Sequence, residues 1–590
     1  MEPYIHRPLS YDNGFRILCL EPAVNFEAPL RCSLTEVCLS DKIQYEALSY
    51  VWGAPTGDRP LTCDGAELLI TPNCELALRH LRLVVGSRSL WVDSVCINQK
   101  STSDRNHQVQ QMGEIYRKAT HTLIWLGKSD EQTKSAFAGW RELEQRSKRS
   151  EILSLHERQY LVEICNKPWF RRVWTIQEVA LATECLVLCG SESISWGALI
   201  SATEHGHTYV EGRVKTVHAR FRNLTTRMNS REFYNNRNLA RSSTRIWMIL
   251  AKCRREEATD ARDKIFGLFA IITSLGLSIP APDYSKTLAA VYEELTVRYI
   301  QEFHHLGLLE LACTFGRDPE IPTWVPDFSD QKFFVSVDTK RSLPNMLVDS
   351  TLLIGRSPRK LPLRGKKIAQ IDFRLHKSHF LWENLLKFRR LHELGSDQYH
   401  LLVPWVSVLR EWMSLLDQVK CPTGKDATHL FSWLTTKDLH EAAADAGSYV
   451  PICRKVMEYM VESETKRIEK NEFNRAKGFE RLQSSPDGVF WYLLSDILRG
   501  KVMAWVANCL DTVCEHTLFV LSTGHIGRGP YSIDDEDIVV WFAGAHRPMI
   551  IRPVGDNYIL IGPAYIHGFK ESDFWEEEED VTKLEIFTLQ

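Results

Sequence analysis

The feature that most constrains the fold is an alternation of short apolar runs with amphipathic ones between Tyr45 and Gly190. "YEALSYVW" reads as a strand, and in "LTCDGAELLI" the pair Asp64-Gly65 joins two apolar arms as a hairpin turn does. In "TPNCELALRHLRLVV" Thr71 is a good N-cap, Pro72 suits a first helical turn, and Leu78, Leu81 and Val85 fall on one helical face. "SLWVD" is a buried-type strand ending at Asp93. The next run spaces Val109, Met112, Ile115, Tyr116 and Ala119 as a helix does, with Asp104 at its start. "THTLIWLG" is another strand, Pro168 separates helical runs around "ERQYLVEIC" and "RRVWTIQEVALA", and "ECLVLCG" is the fourth main strand. Strands alternating with helices build a parallel sheet covered on both faces. Ligands bind such sheets beyond the carboxyl ends of the strands, which puts Ser49 to Trp52, Asp93 and Trp125 on one rim.

The 590 residues exceed one hydrophobic core, and roughly two to four domains are expected. Segment 1–44 reads as an N-terminal extension, 45–205 as the α/β domain, and 206–330 as mainly helical. Residues 331–590 read as a mixed α+β region: strands such as "KFFVSVD", "KKIAQID", "HTLFVLS" and "DIVVWFAG" form one sheet around a helical insert at about 376–505. The acidic run "ESDFWEEEED" reads as a solvated segment. A net charge of −3 gives no drive toward nucleic acid or an anionic membrane. The N-terminus lacks a signal pattern, and the apolar run from Ile265 stops at Pro280, too short for a membrane span. The 15 cysteines are scattered, without a C-x-x-C pair, as reduced thiols of a cytoplasmic or nuclear protein are.

No P-loop, G-x-S-x-G or H-E-x-x-H pattern occurs. His205 and His207 lack a third metal ligand, so no metal site is assigned. Glu178 is the most informative acid. Trp174 precedes it by four residues, one helical turn, and an indole beside a carboxylate in a cleft raises its pKa and excludes water. The local pattern alone fits a surface glutamate paired with Arg171 or Arg172 better. Asp93 either caps a turn or orients a ligand, and capping is favoured. Cys96 reads as a buried thiol rather than a nucleophile. Trp52, Trp91, Trp125 and Trp174 suit an aromatic pocket or a core equally well.

The segments "YEALSYVWG", "LWVDSVCINQ", "QVQQMGEIYRKATHTLIWLG" and "PWFRRVWTIQEVALA" together resemble the fungal heterokaryon incompatibility (HET) domain. The resemblance continues through "DARDKIFGLFAI", "PDYSKT", "IPTWVPDFS", "GHIGRGP" and "GAHRPMIIRP", and covers about 331–510 only weakly. One departure is Glu536, where the family pattern has glycine before Asp537. The resemblance implies non-self recognition ending in programmed cell death. The HET domain is in turn distantly similar to Toll/interleukin-1 receptor (TIR) domains, which implies a flavodoxin-like sheet and aligns Glu178 with the catalytic glutamate of NAD-cleaving TIR enzymes. On that analogy NAD is a substrate and no cofactor is required. Ser49, Tyr50, Trp52, Asp93, Trp125 and Trp174 are then the NAD-binding candidates. The competing reading is a non-enzymatic signalling module that self-associates or docks a protein partner.

Overall fold

The computed structural model describes residues 1–53, 57–146, 153–206, 239–312, 317–330, 347–354, 356–374, 411–412, 414–418, 422–424, 430, 516–576 and 579–590. The chain divides into two units, Met1–Arg298 and Tyr299–Gln590.

In the first unit nine strands form one sheet among the described residues. They are β1 (Gly14–Leu20), β2 (Arg31–Cys38), β3 (Glu46–Ser49), β4 (Arg59–Cys63), β5 (Ala66–Ile70), β6 (Arg88–Trp91), β7 (Thr122–Trp125), β8 (Cys185–Cys189) and β9 (Glu192–Ser195). Their order is β5-β4-β2-β1-β6-β3-β7-β8-β9. β6, β3, β7 and β8 are mutually parallel, as the strand-helix alternation predicts. Ala47, Leu48, Leu90, Trp91, Leu123, Ile124, Trp125 and Val187 are all buried, the continuous apolar pattern of strands covered on both faces. The helices α1 (Pro72–Leu81), α2 (Asp93–Cys96), α3 (Thr102–Lys118), α4 (Glu131–Arg146), α5 (Leu155–Asn166), α6 (Thr175–Ala180) and α7 (Trp196–Gly206) connect these strands or follow them. One core joins Ile124 and Val187 of the sheet to Phe137, Trp140, Leu161, Ile164 and Leu199 of α4, α5 and α7.

Segment 1–44 is not a separate extension. β1 pairs antiparallel with β2 along its whole length and with β6 on its other side, so it lies inside the sheet. The hairpin at Asp64-Gly65 is present, with φ of 49° and 83°, the left-handed pair that a type I′ turn requires. Thr71 caps α1 as expected, its hydroxyl accepting from the Cys74 amide at 3.3 Å. Val85, however, is 84% exposed, because α1 ends at Leu81. Arg82 turns extended there, and its guanidinium donates to the carbonyls of Asn25, Phe26, Ala28 and Pro29. Ser101, not Asp104, caps α3; the Asp104 carboxylate instead takes two bonds from Arg16, at 3.0 and 3.2 Å. The apolar run from Ile265 is broken into short helices at Asp263–Phe266 and Phe269–Ser274. No helix among the described residues is long and apolar enough to cross a membrane.

In the second unit β10 (Leu361–Arg374), β11 (His516–Leu521), β12 (Ile526–Pro530), β13 (Ile538–Phe542), β14 (Met549–Val554), β15 (Asn557–Pro563), β16 (Tyr565–Ile566) and β17 (Glu585–Leu589) share one sheet. This unites "KKIAQID" with the C-terminal strands, as expected; "KFFVSVD" and nearly all of the helical insert lie outside the described residues. β10 pairs with β13 and β17, and β13-β14-β15-β17 are paired in series, so five strands close into a barrel. Ile371, Val539, Ile550 and Ile561 belong to its packed core. The acidic run is only partly solvated: Trp575 is buried, and Glu579 pairs with Lys366.

The turn at Glu536 is kept. Asp534 and Asp537 close it, while Glu536 adopts φ 74°, a region that suits glycine. Glu536→Gly removes that strain and adds chain freedom to the unfolded state, so a gain of about 0.5–1 kcal/mol is expected in the urea midpoint. A loss of stability would show that the glutamate side chain contributes more than its backbone costs.

Candidate site at the carboxyl ends of the parallel strands

β3 ends at Ser49, between β6 and β7, where the order of the parallel strands reverses. Such a switch point leaves a crevice between connections that leave the sheet in opposite directions. Ser49 is buried and its hydroxyl donates to Oε2 of Glu178, which is 3% exposed. The same hydroxyl accepts the indole N–H of Trp169 at 2.7 Å. Trp169 comes from a 3-10 turn over Pro168–Arg171, and Pro168 at its start fixes the backbone for it. Glu178 sits on the short helix α6, so two chain segments 129 residues apart meet through one hydroxyl. Its burial excludes the surface glutamate that the local pattern favoured.

The next residues of the chain build a second, adjoining cluster. The Tyr50 carbonyl accepts from Arg172, and its phenol donates to the Ser94 hydroxyl at 2.6 Å. The Trp52 indole N–H lies 2.8 and 3.0 Å from the two oxygens of Asp93, and the Ser94 amide donates to the same carboxylate at 2.7 Å. Asp93 is the first residue of α2 rather than its cap, since the N-cap Val92 makes no side-chain cap bond; its carboxylate is taken up by the Ser94 amide and the Trp52 indole. Burial pushes its carboxyl up to about 6, against the opposing pull of Arg172, Trp52 and the Ser94 amide. Trp125 is tied in at one remove: its N–H donates to Asn73 at 3.0 Å, and Asn73 donates to the Val51 carbonyl at 2.7 Å.

Ser49, Tyr50, Trp52, Asp93 and Glu178 are therefore brought together, with Trp125 beside them. Trp174 is placed differently from the expectation: its indole N–H donates to Asp263 at 3.1 Å. Trp91 packs edge-on against Tyr116 in the core. Cys96 is buried and its thiol is pushed up to about 12 by that burial, which leaves it inert as a nucleophile. His205 bonds to the Ser201 carbonyl, and His207 lies outside the described residues. Trp169 and Asn73 escaped the sequence reading, since an apolar residue after a proline and a polar residue in a first helical turn carry no chemical signature alone. Among the described residues no three His, Cys, Asp or Glu side chains are arranged to hold a metal.

Two stretches of the chain, one in each unit, match known family models. Residues 45–178 match the family model of heterokaryon incompatibility protein (HET), ending on Glu178 itself, and residues 498–583 match that of the Het-6 beta-barrel domain. The chain thus carries a HET domain and, C-terminal to it, a Het-6 barrel domain. It is similar over 96% of its length to heterokaryon incompatibility protein 6, OR allele, of Neurospora crassa, at 21% identity and covering 95% of that protein. No solved structure matches it.

Proposed function

We propose that the protein acts in fungal non-self recognition leading to programmed cell death, and that its HET domain does so by cleaving NAD. The observation that carries the enzymatic part is the buried contact between Ser49 and Glu178 at the switch point of the parallel strands. The strand order β6-β3-β7-β8, second-first-third-fourth along the chain, supports a TIR-like, flavodoxin-like sheet, whose ligands bind at this point.

The reaction breaks the bond between ribose C1′ and the nicotinamide nitrogen, the electron pair leaving with nicotinamide. The oxocarbenium-like centre takes the oxygen of water at C1′, and a proton is released with ADP-ribose. Glu178 accepts from the ribose hydroxyls and stabilises the positive charge that develops on the sugar. Ser49 and Trp169 hold that carboxylate in place. Trp52 or Trp125 stacks on a ring of the dinucleotide. NAD is substrate here and no cofactor is needed. The protein works in the cytoplasm, with a protein partner or a second copy as its trigger.

The test is nicotinamide release from NAD by the full chain. Glu178→Gln, which keeps the shape and an acceptor for Ser49, is expected to lower release by about 100-fold or more. Equal and negligible release from wild type and variant, both folded and assembled, overturns the enzymatic reading. Cell death that survives Glu178→Gln on overexpression favours a non-enzymatic signalling module that acts by assembly.

A further inference from the structure

The stretch matched by the HET model ends at Glu178, yet the helix carrying that residue is held by segments far beyond it. Glu257 bridges the loop before α6: its amide donates to the Arg171 carbonyl at 2.6 Å, and its carbonyl accepts from Val173 at 3.0 Å. Lys264, almost fully buried, secures this bridge by donating to the carbonyls of Arg254 and Glu256. Asp263 then takes two bonds on its two oxygens, from the Trp174 indole at 3.1 Å and from the Tyr284 phenol at 2.6 Å. Tyr284 is itself fixed. Arg105 of α3 lies 3.9 Å over its ring, its carbonyl accepts from Arg262, and its amide donates to Asn106. Gly267 gives Trp174 its room, since a Cβ there would stand 3.3 Å from the indole ring and 2.9 Å from the Asp263 carbonyl. One turn further along, Gln177 accepts from the Ala270 amide at 3.1 Å.

Trp174 is the N-cap of α6, and its carbonyl accepts the Glu178 amide. The side chain of the residue one turn before Glu178 is thus anchored to Asp263, and the residue immediately before it to Ala270. We propose that Asp263 is a positioning residue for the Glu178 carboxylate: through Trp174 it fixes the first turn of α6 and so the aim of Glu178 toward Ser49. This rests on the proposed function for its catalytic consequence, but not for its structural one. A six-residue helix has too few internal bonds to hold its own orientation. Its direction must come from tertiary contacts, and residues 263–270 supply bonds to two side chains of its first turn, Trp174 and Gln177.

The experiment uses the full chain and two independent readouts, amide hydrogen exchange and nicotinamide release. Asp263→Ala is expected to speed exchange across residues 174–181 by about tenfold or more while β6 and β7 keep their protection. Asp263→Asn, which still accepts from Trp174 and can pair its amide with the Tyr284 oxygen, is expected to restore most of the protection. In the activity arm Asp263→Ala lowers kcat for nicotinamide release with KM little changed, since it misplaces Glu178 without touching the dinucleotide. Unchanged exchange across 174–181, or equally faster exchange in β6 and β7, overturns the positioning role, the latter by showing plain loss of global stability. A wild-type chain that releases no nicotinamide sinks the enzymatic reading, and the exchange arm then decides the anchor alone.

Discussion

A chain that begins at Tyr45, the first residue of the HET match, is expected not to fold. β1 lies inside the sheet between β2 and β6, and Phe15, Ile17, Leu18 and Leu20 are each at most 4% exposed. Burying four such side chains contributes about 6–12 kcal/mol, close to the entire stability of a typical domain, about 5–15 kcal/mol. Truncation also opens the edge of β6 to foreign strands. The same logic acts on one residue. Arg16 is 5% exposed and donates to Asp104 through two nitrogens and to the carbonyls of Cys96 and Arg7. Arg16→Ala strands a nearly buried carboxylate and is expected to cost about 3–5 kcal/mol. Removing both charges as Arg16→Leu with Asp104→Leu should cost less than the single alanine, because no lone charge remains. Urea unfolding measures all three. A truncated chain that melts cooperatively at the wild-type midpoint would show that β1 and β2 are dispensable.

That β1 and β2 belong to the sheet was hidden in the sequence for a physical reason. Besides each other their partners are β4 and β6, so joining them to the sheet depends on residues about 30 and about 70 positions away, whereas the alternation from Tyr45 onward is local. The hairpin at Asp64-Gly65 and the cap at Thr71 were legible because both are chemistry within four residues. Glu178 was legible as a candidate by its helical spacing from Trp174, yet the indole that reaches Ser49 beside it is Trp169. Spacing on a helix holds only within the helix. The run "RRVWTIQEVALA" is helical only from Thr175 to Ala180, and Trp169 arrives from the 3-10 turn that Pro168 imposes. Asp263 was visible only as part of a family-like motif, because its role lies in a contact 89 residues back along the chain.

The second large effect is a pH dependence of stability. Burial raises the carboxyls of Asp93 and Asp263 from 3.8 to about 6. In the unfolded chain both ionise near their ordinary value. Between about pH 4 and 6 the folded state therefore binds more protons than the unfolded one, and stability falls as pH rises through that window. Each shift corresponds to about 3 kcal/mol, absent at pH 4 and fully expressed by about pH 7. Asp130, Asp283 and Asp349 move the other way, since hydrogen bonds hold their carboxyls below the usual range, so the total profile is blunted. The difference between wild type and a single variant isolates the effect. Asp93→Asn keeps the one oxygen, Oδ1, that accepts from both Trp52 and Ser94, and its unmatched amide N–H costs about 1 kcal/mol. It should be about 2 kcal/mol more stable than wild type at pH 7 and lose that advantage by pH 4. Urea midpoints at four pH values measure this, and a difference that does not change with pH would show that Asp93 ionises normally in the folded protein. A gain in stability together with a loss of nicotinamide release would mark Asp93 as a carboxylate kept at the rim at a cost to the fold, as groups held for function rather than for packing are.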